Sequence, residues 1–207
     1  MNNLPKETEL KYGVENFDII KVLQTLTSNG FIIYNGKSLE NTDNYFDTKN
    51  KALLNNGGSL RTRTIKTEDS TIYKATFKTP ISYVHNYVDR IEIEKEIKKP
   101  DYNELVKALN SIPFNLTEIC PAPILTVKTK RFEVYLEKDE STICLSFDEV
   151  TYNKESIKDY IIEVELGDDS KEEILEEVND LLTQNLELTT LKDNKYKRGL
   201  IRTLTKN

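Results

Sequence analysis

The chain has one histidine, two cysteines, one methionine and no tryptophan in 207 residues. A single imidazole excludes a multi-histidine zinc centre and argues against Ser-His-Asp or Cys-His catalysis. Cys120 and Cys144 are too few for a disulfide scaffold or a CxxC metal site, and read as reduced thiols in a cytoplasmic protein. No apolar run approaches a membrane span. The opening MNNLPKETELKYG lacks the basic-then-apolar order of a secretory leader, so none is expected. Low-complexity tracts and long linkers are missing too, so one domain spanning 1–207 is expected. There is no positive surplus: 29 Lys and Arg against 35 Asp and Glu leave a net charge of −6. That acidity argues against a nucleic-acid partner held by bulk charge, and no membrane partner is expected either.

What is present is charge in periodic order, with 31% charged residues. KETELKY at 6–12, SLRTRTI from 59, TIYKATFKTP ending at Pro80, RIEIEKEI, LTVKTKRFEVYL, STICLSFDEV and DYIIEVELG read as strands. DNYFDT at 43–48 reads as a strand or extended loop, and the tyrosine-rich ISYVHNY as a loop. Helical spacing of Phe17, Ile20, Leu23 and Leu26 stops at Gly30. Asp101 and Glu104 resemble a capping box for a second helix, and KEEILEEVNDLLTQN and LKDNKYKRGLIRTL supply two more. The expected class is α+β, rich in antiparallel strands.

Alternation sends successive side chains to opposite faces of a sheet. Glu7, Glu9 and Lys11 then share a face, as do Arg61 with Arg63, Lys74 with Lys78, Lys128 with Lys130, and Glu163 with Glu165. In RIEIEKEI, Arg90, Glu92 and Glu94 point one way, while Ile91, Ile93 and Ile97 point the other. For one strand, a wetted charged face is the simplest account. Repetition over many strands, in blocks of one sign, points instead to carboxylates that hold cations and basic groups that hold a polyanion. With Asp148 and Lys195 added, the set has nine basic and seven acidic residues, a net +2. One or two divalent cations would bring that near the roughly four to five negative charges of a triphosphate. Carboxylate oxygens favour Mg²⁺ or Mn²⁺ over zinc.

Glu7-Thr8-Glu9-Leu10-Lys11 resembles the Glu-x-Glu-x-Lys hallmark of the CYTH, or triphosphate tunnel metalloenzyme, family. The resemblance continues in order through NYFDT, LRTR, ATFK, RIEIE, VKTKR, FDEV, IEVEL and NKYKR, nearly the whole chain. It implies an eight-stranded antiparallel barrel with a charged tunnel, apolar outer faces and helices packed outside. It also implies divalent-metal-dependent attack of water on a triphosphate, most simply inorganic tripolyphosphate. Glu7, Glu9, Asp148, Glu163 and Glu165 match the metal-holding positions. Lys11, Arg61, Arg63, Lys74, Lys78, Arg90, Lys128, Lys130 and Lys195 match the substrate-binding ones. Lys11, next to Glu9, would orient the attacking water or help deprotonate it, and Glu92 and Glu94 would hold metal through water or position basic groups.

Two departures stand out. Lys128-Thr129-Lys130 replaces the family's Lys-x-Arg, which would turn Arg131 outward, and Asn194 replaces a serine before Lys195. Family members also hydrolyse thiamine or nucleoside triphosphates or cyclise ATP, and a non-catalytic polyphosphate- or nucleotide-binding module is the alternative of another class. Gly36-Lys37-Ser38 is no phosphate loop, because Gly30 is one residue too far upstream. His85, Tyr83 and Tyr87 read as ordinary loop residues. Oligomeric state is not legible in the chain.

Overall fold

The computed structural model describes residues 6–84, 87–110, 118–168, 170–186 and 188–204. Its strands are β1 (Lys6–Val14), β2 (Ile32–Phe46), β3 (Ser59–Lys66), β4 (Thr71–Val84), β5 (Tyr87–Ile97), β6 (Leu125–Lys138), β7 (Ser141–Tyr152), β8 (Lys154–Leu166) and β9 (Thr189–Thr190). The helices are α1 (Ile19–Thr27), α2 (Ala52–Asn55), α3 (Tyr102–Ala108), α4 (Glu173–Leu186) and α5 (Lys195–Leu204). Strands pair in the order β5-β4-β3-β2-β6-β7-β8-β1, all antiparallel, and β1 pairs again with β5. That last pairing closes an eight-stranded barrel and removes its edges. β9 adds two residues beside Tyr12 and Gly13 of β1.

The usual barrel polarity is reversed here. Leu10, Tyr12, Leu145, Phe147, Ile162 and Val164 point outward, where Val22 and Leu26 of α1 and Leu175, Val178 and Leu182 of α4 cover them. Phe46, Leu60, Ala75, Phe77 and Ile97 form a second outer cluster under Leu105 of α3. Asp101 caps α3 by accepting from the Glu104 amide at 3.0 Å, while Glu104 reaches the Lys98 amide instead of closing a capping box.

A third apolar cluster stoppers one end of the barrel. Tyr45, Val127, Val150, Tyr152 and Ile161 pack there against Tyr196 and Leu200 of α5. Glycine is required at position 199, since a Cβ there would lie 2.5 Å from Leu125 and 2.6 Å from Tyr152. Three carboxylates hold the helix at this end. Tyr196 donates to Asp47 at 3.0 Å, and Asp159 accepts from Tyr152, Arg198 and Arg202 at 2.7–3.0 Å. Lys195 reaches Asp148.

Three expectations change. β2 begins at Ile32, eleven residues before the expected extended segment. Its first half, with Asn35-Gly36 and a register shift after Ile33, carries turn-like residues because it is solvent-exposed. β4 does not end at Pro80; it runs to Val84 with a register shift between Pro80 and Ser82, a setting that tolerates the missing amide. ISYVHNY is accordingly a hairpin and not a long loop, though His85 lies outside the described residues.

Candidate active site in the barrel lumen

β1 carries Glu7, Glu9 and Lys11 on its inward face, and pairing with β8 sets Glu9 opposite Glu165 and Lys11 opposite Glu163. One carboxylate oxygen from each of Glu7, Glu9 and Glu165 lies within 4.8 Å of the other two. Lys78 donates to both oxygens of Glu7 at 2.7 Å and pairs with Glu92 at 3.0 Å. Arg90 and Lys11 reach Glu9 at 2.9 and 3.0 Å. Among the described residues, the ion pair of Glu165 is with Arg131, at 3.9 Å, with Lys78 acting from farther away. Withdrawal from water, followed by the neighbouring Glu7 charge, pushes the Glu165 carboxyl up to about 7.

One turn of the wall away, carboxylates are saturated with cations. Arg131 grips Asp148 with two bonds of 2.7 and 2.6 Å, and Lys195 reaches the same carboxylate at 2.6 Å. Glu163 has Arg131 at 2.5 Å, Lys195 at 2.9 Å and Lys11 at 3.2 Å. Burial works against its ionisation, but Lys195, Lys11 and Arg131 together hold it well below the usual carboxylate range. Asp43 accepts a fork from Arg63 at 2.6 and 2.8 Å and a longer contact from Arg61 at 3.4 Å. For Lys11, burial lowers the pKa, yet Glu9 and Glu163 more than offset it, so the ammonium stays charged.

The lumen therefore gathers Glu7, Glu9, Lys11, Arg61, Arg63, Lys78, Arg90, Asp148, Glu163, Glu165 and Lys195. Lys74 and Glu94 pair at 2.5 Å, each about a third exposed, toward the rim. Glu92 and Glu94 partner lysines and stand outside the three-carboxylate cluster.

Lys128 and Lys130 correct the sequence reading. Both are exposed on the outer wall, lining a groove with Glu40, Glu149 and Lys158. Pairing decides this: Arg131 stands opposite Asp148, and Lys130 opposite Glu149, so the inward face of β6 reads Thr129, Arg131, Glu133. Arg131 points in, not out. With a period of two, misplacing the face by one residue exchanges every side chain. Arg131 thus supplies the arginine of the Lys-x-Arg pattern, and Thr129 occupies the lysine position.

Asp43, Tyr45 and Ser59 also line or complete the lumen and were not anticipated, while Asn194, the departure noted before Lys195, lines it as well. Only the shared parity of Asp43 and Tyr45 hinted at the first two. Exchanging Lys128 and Lys130 for Arg131 leaves eight basic groups on the wall, Lys74 included, and adding Asp43 and Glu133 brings the acidic ones to nine, Glu92 and Glu94 included. About 50 Å³ of free space remains among them, so an occupant of any size enters only by parting these ion pairs.

The CYTH domain model matches residues 5–200. The chain belongs to the CYTH family. A solved Pyrococcus horikoshii protein shares 22% identity over 95% of this chain and 99% of its own, with a TM-score of 0.61. A Hippeastrum protein, described as a candidate adenylyl cyclase with a dominant triphosphatase activity, shares 15% identity over 95% and 96%, with a TM-score of 0.58. A candidate adenylate cyclase from Bacillus halodurans shares 22% over 93% and 97%, with a TM-score of 0.56. At these identities the likeness carries the CYTH fold, not the substrate. Comparison with curated proteins finds no match. Among the described residues no helix is long and apolar enough to cross a membrane.

Proposed function

We propose that this CYTH chain, acting as one domain, hydrolyses a triphosphate with a divalent cation, and that inorganic tripolyphosphate is its simplest substrate. One observation carries the reading: the Glu7, Glu9 and Glu165 cluster faces a wall of Arg61, Arg63, Lys78, Arg90, Arg131 and Lys195 across the same closed lumen. The residues fit a hard cation. Three carboxylates converge, and Glu165 is short of positive charge. A wall without a surplus of positive charge cannot by itself neutralise a tetra-anionic chain, so cation and substrate are needed together. Bound there, Mg²⁺ or Mn²⁺ would supply charge neutralisation at the phosphoryl oxygens.

The chain's own groups do the remaining work. Arginine forks and lysine ammonium groups hold the phosphoryl oxygens and stabilise the charge that spreads over them at the transition state. Lys11 remains protonated, so it orients the attacking water and does not deprotonate it; Glu9 fixes the Lys11 head at 3.0 Å. The water oxygen bonds to the terminal phosphorus as the opposite bridging P–O bond breaks, yielding orthophosphate, pyrophosphate and a proton. Asp148 and Glu163, matched to metal positions by resemblance, serve first as counter-ions that aim Arg131 and Lys195. The free thiols Cys120 and Cys144 fit a reducing cytoplasm.

The test is product release from tripolyphosphate, ATP and thiamine triphosphate with Mg²⁺ and with Mn²⁺. Orthophosphate from tripolyphosphate, lost in EDTA and in Glu7→Ala, is the expected result. Pyrophosphate and cyclic AMP from ATP would replace the hydrolase by a cyclase. Triphosphate binding without turnover would leave a binding module.

A further inference from the structure

Asp47 is a fully buried carboxylate that the reaction chemistry leaves unused. One of its oxygens accepts from the Thr48 and Leu53 amides at 2.8 and 2.9 Å. The other accepts from the Leu54 amide and the Tyr196 hydroxyl, both at 3.0 Å. The backbone beneath it is tethered as well: the Asp47 carbonyl accepts from the Cys120 amide at 3.0 Å, and Thr48 bridges to Ile119. Three amide donors from its own stretch of chain and this tether leave the carboxylate little freedom. Tyr196 arrives from 149 residues away, so Asp47 locates the tyrosine and not the reverse. Burial, and next the Asp47 charge, raise the pKa of the Tyr196 hydroxyl, which keeps it a donor.

Tyr196 follows Lys195 directly at the start of α5, and successive helix residues diverge by about 100°. The tyrosine therefore enters the apolar stopper, its ring stacked on Tyr45 with centroids 5.1 Å apart and planes 6° from parallel. Lys195 turns instead into the lumen and divides its ammonium between Asp148 at 2.6 Å and Glu163 at 2.9 Å. A displacement of about 1 Å at such a group can cost on the order of a hundredfold in rate. Asp159 also holds α5, through Arg198 at 2.7 Å and Arg202 at 2.9 Å. Those two contacts lie beyond the first turn of α5, farther from Lys195 than the Tyr196 contact.

We infer that Asp47 is a positioning residue for the lumen: through the Tyr196 hydroxyl it fixes the first turn of α5 and with it the place of the Lys195 ammonium. Asp47 touches no substrate. The inference rests on the lumen being the triphosphate site and extends that site to a carboxylate behind its wall.

The experiment is a double-variant cycle. Tripolyphosphate binding is read by titration calorimetry with Mg²⁺ in the cold, and kcat, KM and the urea midpoint are measured on the same proteins. Tyr196→Phe leaves Asp47 and its three amides in place, so folding is retained, and Asp47→Asn keeps the shape of the side chain as a second arm. Each should weaken tripolyphosphate binding about fivefold. Lys195→Gln should weaken it about tenfold or more, the size of a charge-assisted contact. Adding Tyr196→Phe to Lys195→Gln should change affinity less than about twofold, because the tyrosine acts through that lysine. Arg202→Gln loosens α5 at its half-exposed far end and should likewise leave affinity within about twofold.

Full affinity in Tyr196→Phe and Asp47→Asn, with only the urea midpoint lowered, would overturn the inference and make Asp47 an anchor of the fold alone. So would losses that add in the double variant, or an equal loss in Arg202→Gln. Binding that follows the cycle without any hydrolysis defeats the hydrolase reading and leaves the positioning role standing. No tripolyphosphate binding by the native protein defeats both.

Discussion

Glu163 and Glu165 sit two residues apart on one strand and face the same lumen, yet their surroundings are opposite. Glu163 has three cationic groups within 3.2 Å and is held well below the ordinary carboxylate range. Among the described residues Glu165 has its nearest cation, Arg131, at 3.9 Å, shares space with Glu7 and Glu9, and is raised to about 7. One glutamate of the pair is thus matched closely by protein charge, and the other, beside the paired Glu7 and Glu9, is not. The first sets the shape of the basic wall. The second is where the proposed cation would bind. Two identical residue types in one motif therefore take different duties according to what the facing strands bring.

The largest effects should come from inverting that contrast. Arg131→Met leaves Asp148 and Glu163 with Lys195 as their main cation, and should destabilise the protein by about 3–5 kcal/mol in chemical denaturation. Glu165→Gln should do the reverse: turnover falls by about 10³-fold, while stability in EDTA holds or rises. Equal destabilisation by both would erase the distinction between the two sides.

A somewhat smaller effect concerns pH. The Glu165 carboxyl is raised from its ordinary 4.5 to about 7, so the folded state binds more proton than the unfolded one between those values. That stabilisation is fully present below pH 4.5 and is lost as pH rises to 7. A bound divalent cation needs the ionised form, so Mg²⁺ affinity should weaken by up to about tenfold per pH unit below 7 and level off above it. Calorimetry across pH 5–8 with the native protein and Glu165→Gln reads this directly; a flat profile in the native protein would remove Glu165 from the cation site. The same titration should show Mg²⁺ raising the unfolding temperature more at pH 8 than at pH 5.5.

Two smaller changes sharpen the geometry. Tyr196→Phe removes the hydroxyl that Asp47 accepts and should cost about 1 kcal/mol, measurable as a lower urea midpoint with unchanged slope. Lys128→Ala with Lys130→Ala should alter kcat/KM less than about twofold, since both side chains point away from the lumen. A large loss in that pair would return β6 to the opposite face.

Much of the barrel was legible because charge and apolarity alternate. Glu-x-Glu opposite a run of isoleucines in RIEIEKEI leaves one arrangement, and Ile93 and Ile97 do join the outer cluster under α3. β6 is the counter-example. Lys128 and Lys130 lie on one face, Arg131 and Glu133 on the other, so charge does not say which face turns inward. β2 failed for a related reason: its exposed first half has no apolar face to reveal a strand.

The sequence by itself determined the strand alternation, the charged lumen and the family, because each rests on spacing along one chain. Only the folded barrel places Arg131 and not Lys130 in the lumen, brings Asp43 to it, and matches Asp148 and Glu163 closely with cations while leaving Glu165 without a close one. These are properties of register between strands distant in sequence. A carboxylate's electrostatic state is set by the cations that other strands place beside it, and spacing along one strand does not encode that.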